Sequence, residues 1–163
     1  MELSELLPLY AAHPQVAALA KIVGDGVPTV TYVEGLRASS ASLALAALSL
    51  RRLPPRTFLV VLNDEEEAGY FYHDMVQALG TDDVLFFPSS YRRAVKYGQR
   101  DAANEILRTE VLNRLARSGS GGAVAGDAER PLFVVTAPAA LSELVTSSAD
   151  MQSGTVVIEE GGS

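Results

Sequence analysis

The chain has 163 residues, 48% of them hydrophobic and 20% charged, with a formal net charge of −7. That composition suits one soluble domain with a real core and argues against a wholly basic nucleic-acid binder. It has no cysteine and only two histidines, His13 and His73, which excludes disulfide frameworks, thiolate zinc sites, iron–sulfur clusters, cysteine nucleophiles and multi-histidine metal centres.

Residues 2–12 read as a short amphipathic helix with Leu3, Leu6, Leu7 and Tyr10 on one face, although Pro8 sits awkwardly in it. Pro14 suits the first position of a second helix, which stops near Gly24-Asp25-Gly26. Residues 29–33 (Thr-Val-Thr-Tyr-Val) are β-branched and aromatic and predict a first strand. An Ala/Leu-rich helix follows from about Ser40 to Leu50, blocked by Pro54-Pro55. The apolar run 57–62 predicts a strand covered on both faces. Asn63 or Asp64 caps the next helix, with Glu65, Glu66 and Glu67 in its solvated first turn, and Leu79-Gly80 ends it.

Residues 84–87 predict a third strand, closed by Pro88, and residues 99–117 a long helix with Glu110 and Arg114 as an i,i+4 pair. The composition of 118–130 is that of a flexible surface loop. A fourth strand is expected over 132–136, a short helix from Pro138 to about Val145, and one more strand-like run at 155–158. Apolar strands alternating with helices predict parallel βαβ units, hence an α/β three-layer sandwich with a mostly parallel sheet.

In such a sheet ligands bind at the carboxyl ends of the strands. The predicted first strand leads into Gly35-Leu36-Arg37-Ala38-Ser39-Ser40-Ala41-Ser42 and then a helix. This is the setting of a Walker A loop, whose amides cradle phosphates while a lysine reaches the β- and γ-phosphates and a hydroxyl holds magnesium. Gly35 fills the first glycine position and Ser42 the hydroxyl position, but Ser40 replaces the second glycine and Ala41 the lysine. Alanine offers neither charge nor donor, so the loop reads as an ordinary strand-to-helix turn or a decayed phosphate loop. Arg37 is the one nearby cation that could stand in, though it lies mid-loop. No acidic pair after an apolar strand serves as a Walker B element, because capping accounts for Asp64 and Glu65.

Seven of the 13 basic residues fall within 92–117 (Arg92, Arg93, Lys96, Arg100, Arg108, Arg114, Arg117), against three acids there. With Tyr91 and Tyr97 beside them, Arg92, Arg93, Lys96 and Arg100 form a candidate DNA or interdomain contact; a solvated loop and helix face is the competing reading. Ser89-Ser90 has the position of a nucleophile but no histidine to activate it. His73 reads as a structural histidine and His13 as part of a turn.

Four blocks, Asp64-Glu65-Glu66-Glu67-Ala68, Tyr70-Phe71-Tyr72-His73-Asp74, Val84-Leu85-Phe86-Phe87-Pro88-Ser89-Ser90-Tyr91 and Asp101-Ala102-Ala103-Asn104 with Leu107-Arg108-Thr109-Glu110-Val111-Leu112, are informative in their order and spacing. Together they resemble the N-terminal region of the bacterial transcription-repair coupling factors, the Mfd family, the Bacteroides-type version most of all. The likeness covers most of 1–147 except 118–130. That region is similar to the core of UvrB, the damage-verification subunit of excision repair, whose Walker A loop is intact where the coupling factors' is degenerate. The resemblance therefore implies a P-loop NTPase, RecA-like fold of UvrB domain 1a type over residues 1–147. Residues 148–163 would be a linker and the start of the UvrA-recruiting domain. By the same resemblance Gln15 after Pro14 is faintly similar to the adenine-contacting entry segment of UvrB-like proteins, a relic without a phosphate loop, and the segment after Tyr91 is too short to build UvrB's DNA-clamping hairpin.

The function so implied is a non-catalytic scaffold within a cytoplasmic DNA-dependent ATPase and translocase that displaces stalled RNA polymerase and recruits nucleotide excision repair. No cofactor is expected in this fragment, ATP and Mg being used by motor domains downstream. The implied partners are other domains of the same protein, UvrA through the following domain, and RNA polymerase and DNA through downstream domains, with no membrane. Two alternatives stay open: a nucleotide-binding ATPase with Arg37 replacing the lysine, and a DNA-contacting module through 91–117.

Overall fold

The computed structural model describes residues 3–51, 53–54, 56–91, 101–119 and 130–147. The first helix, α1 (Leu3–Ala12), contains Pro8, which removes one i→i−4 hydrogen bond without ending it. The break comes at His13 instead. Its side chain accepts the Gln15 amide at 3.3 Å and so caps α2 (Pro14–Asp25), with Pro14 in the first turn. The chain bends by 73° there. Gly26, at φ 68°, ends α2 in the left-handed region that glycine enters without cost from a Cβ.

The expected strand over 29–33 does not form. These residues belong to an irregular stretch from 26 to 37, in which Val30 is 79% and Tyr32 89% exposed. Their β propensity counts only against a paired neighbour and a buried face, and among the described residues they have neither. The next helix, α3 (Ser40–Leu48), is rich in alanine, and Ala46, Ala47 and Leu48 are fully buried among α1 and the helix that follows β1.

The remaining elements are β1 (Thr57–Val61), α4 (Glu65–Leu79), β2 (Val84–Phe87), α5 (Ala102–Gly119), β3 (Leu132–Thr136) and α6 (Pro138–Leu141). Asp64 caps α4 by accepting the Glu67 amide at 2.9 Å, while the Glu67 carboxylate takes the backbone amide and side-chain amide of Asn63. Helix α6 ends at Leu141 rather than near Val145. The composition-based loop at 118–130 falls mostly outside the described residues, as does the strand-like run 155–158.

The three strands form one parallel sheet in the order β1-β3-β2, so the last strand in the chain is the central one. Phe58 of β1 sits opposite Phe133 of β3, with the rings stacked at 5.0 Å between centroids. Side chains alternate between the two faces. Phe58, Val60, Val84, Phe86, Phe133 and Val135 meet the layer built from α1 to α4, where Ala68 and Met75 of α4 are fully buried. Leu85, Phe87 and Val134 meet Val111 of α5 and Ala140 of α6 on the other face. Helices thus cover both sides of the sheet, as the alternation of apolar strands and helices predicts.

Strand β1 departs from expectation. Among the described residues it is covered on one face only: Leu59 and Val61, which share the α5 face, stay 57% and 47% exposed because α5 packs over β2 rather than β1.

Candidate functional site at the carboxyl ends of the strands

The Gly35–Ser42 loop does not issue from a strand of the described sheet, so its phosphate-loop setting is missing. Gly35 and Ala38 both take positive φ, 83° and 47°. The Arg37 amide donates to the Ser40 hydroxyl at 2.6 Å, and the Ser40 amide returns a bond to the Arg37 carbonyl at 3.0 Å. The loop therefore spends donors on itself that a phosphate cradle would aim outward. Arg37 is exposed and Ala41 half-buried on α3. Ser42 is 2% exposed, and its hydroxyl lies between the Ser39 carbonyl (2.9 Å) and the Asp74 carboxylate of α4 (3.2 Å). The hydroxyl that would hold magnesium in a working loop instead ties α3 to α4.

The carboxyl ends of β2 and β3 carry a polar cluster whose centre the sequence did not reveal. Glu143, just after α6, accepts from the Ser89 hydroxyl at 2.6 Å and from the amide and hydroxyl of Ser90, at 3.1 and 2.5 Å. Arg108 of α5 approaches the same carboxylate at 3.4 Å. It also donates to the carbonyls of Pro88 (2.8 Å) and Ala140 (3.3 Å). Its guanidinium carbon lies 4.1 Å from the Phe87 ring centroid. Glu65 accepts the Ser89 amide at 3.2 Å, Asn104 donates to the Ser89 carbonyl at 2.8 Å, and Thr136 donates to the Phe87 carbonyl at 2.7 Å. Glu65 is thus a cross-link from α4 to the end of β2 as well as a first-turn acid.

Burial alone pushes the Glu143 carboxyl up. The Ser89 and Ser90 hydroxyls, the Ser90 amide and the Arg108 charge together outweigh that and hold it below the usual glutamate value. A carboxylate so stabilised is a poor general base, and both serine hydroxyls already donate to it. The arrangement suits a clasp that closes the strand ends over their own backbone better than a nucleophile awaiting activation.

The basic segment divides. Arg108 is 7% exposed and belongs to the clasp, not to a solvent-facing patch. Arg114 donates to the Asp82 carbonyl at 3.2 Å, rather than serving only a helix-surface pair with Glu110. Tyr91 is exposed, and its amide donates to the Ser89 hydroxyl at 3.2 Å. Arg92, Arg93, Lys96, Tyr97 and Arg100 lie outside the described residues. His73 is exposed, and no group of three or more metal-ligating side chains occurs among the described residues. No described single helix is long and apolar enough to cross a membrane.

Ser89-Ser90 stand out by position, but Glu143 does not, because it lies 53 residues beyond Ser90, inside the predicted 138–145 helix, where no sequence pattern turns it toward them. The nearest signal was an acid following the short helix after the central strand. Comparison with family models, curated proteins and solved structures finds no match for this chain.

Proposed function

We propose that the chain is a non-catalytic scaffold domain, the P-loop-derived α/β module of a transcription-repair coupling factor. In the whole protein, a DNA-dependent translocase that displaces stalled RNA polymerase and recruits excision repair, it would present the UvrA-recruiting domain and pack against neighbouring domains. The family part of this reading rests on the sequence blocks from Asp64 to Leu112. The observation that carries the non-catalytic part is the engagement of Ser42 with Ser39 and Asp74, beside an Ala41 that offers a phosphate no charge.

The rival reading, in which Arg37 replaces the lysine, draws on Arg37 being exposed. Titration calorimetry with Mg-ATP separates the two. The scaffold reading expects affinity weaker than about 1 mM, or roughly −4 kcal/mol. Tighter binding that is lost in Arg37→Ala would overturn it. Charge reversal at Arg92, Arg93 and Lys96 tests the DNA-contacting reading, which requires salt-dependent binding that the reversal abolishes.

A further inference from the structure

We propose that the carboxyl end of β2 carries a carboxylate-binding site, filled in this structure by the chain's own Glu143 and able to take a carboxylate of another molecule when Glu143 swings out. The site engages both oxygens of the group it holds. One accepts from the Ser89 hydroxyl at 2.6 Å and the Ser90 amide at 3.1 Å. The other accepts from the Ser90 hydroxyl at 2.5 Å and the same amide at 3.1 Å, with the Arg108 guanidinium at 3.4 Å. Ser89, Ser90 and Arg108 are 9%, 7% and 7% exposed, so water competes little for these donors. Two hydroxyls, an amide and a buried guanidinium converging on one place demand an anion there, because a buried cation left unpaired is costly.

The donors are positioned by groups other than Glu143. The Ser89 amide donates to Glu65, the Ser89 carbonyl accepts from Asn104, and the Ser90 carbonyl accepts the Asp101 amide at 2.8 Å. Arg108 is held by the Pro88 and Ala140 carbonyls and the Phe87 ring. Glu143, by contrast, lies on a stretch without regular structure: past α6 the chain from Ser142 to Ser147 forms no helix or strand, and among residues 141–147 Glu143 alone is not exposed. Leu144, next to it, is fully exposed. Swinging Glu143 out therefore uncovers no core side chain, and what is lost is the set of hydrogen bonds that an incoming carboxylate restores. Glu65, the other acid here, is directed to the Ser89 amide and leaves the place to the newcomer. Parallel α/β sheets take their ligands at this end of the strands.

Acetate is the probe, titrated against chloride at constant ionic strength. In Glu143→Ala the Ser90 amide resonance should shift saturably, with an affinity at least about tenfold above that of the unaltered chain, where Glu143 competes for the place. Should Glu143→Ala fail to fold in chloride, acetate restores the fold. Absence of both the shift and the refolding, or equal affinity in the two proteins, overturns the proposal, as does phosphate binding more tightly than acetate. A nitroxide on Leu144→Cys reads displacement in the otherwise unaltered chain, which has no cysteine of its own. The label should gain mobility as acetate is added, and unchanged mobility across the titration overturns the proposal.

Discussion

The guanidinium of Arg108 and the ring of Phe87 stack at 4.1 Å, on the face of the sheet that α5 covers. The contact lets a cation enter the interior: the ring takes its face while two carbonyls and Glu143 take its hydrogens. Arg108→Ala therefore leaves Glu143 without its cation and the Pro88 carbonyl without the guanidinium donor, at a cost of about 3–5 kcal/mol. Arg108→Lys keeps the charge but loses the forked geometry and should fall between the two. Urea unfolding of the three proteins measures the order.

Glu143 makes the same cluster sensitive to acid. Its folded pKa lies below its unfolded one, so its contribution is fully present above the unfolded value of about 4.3 and is lost as pH falls through the folded value. Stability of the unaltered chain should drop more steeply below about pH 5 than that of Glu143→Gln, whose side chain does not titrate. Chemical denaturation at a series of pH values reads the two slopes.

Ser42 is a tie between helices, so Ser42→Ala should lower stability by about 1 kcal/mol while leaving the response to Mg-ATP unchanged. The Asp74→Asn variant retains an acceptor and should cost less than Asp74→Ala. Calorimetry and denaturation midpoints of all three variants check both halves.

Asp64 holds the start of α4 through the Glu67 amide. Asp64→Ala should cost about 1 kcal/mol and Asp64→Asn much less. Thermal melting in parallel gives the difference directly.

The helices and three of the strands were legible because their signals are local. Pro14, Asp64, Gly80 and Pro88 punctuate the chain where the elements begin or end, and the apolar runs at 57–61, 84–87 and 132–136 are too short and too continuous for surface helices. The run at 29–33 misled because a strand is defined by its neighbour, and composition does not say whether one is present. The apolar character of β1 misled in the same way about its second face, since which strand α5 covers depends on topology. The Walker-like spacing named the right residues for scrutiny but could not show that Ser42 faces Asp74. The clasp was hidden because Ser89, Arg108 and Glu143 belong to three separate stretches that meet only when the sheet closes.

The strand order also dictates how this domain must assemble. Both β1 and β2 find their hydrogen-bonding neighbour in β3, which joins Thr57 to Leu132 and Val84 to Phe133. A ribosome delivering the chain from its amino end releases β1 and β2 first, and among the described strands neither has a mate until residue 136 has emerged. Assembly of the sheet is consequently a late, all-at-once event of long sequence separation, and any fragment ending before Leu132 would lack the strand that joins the other two.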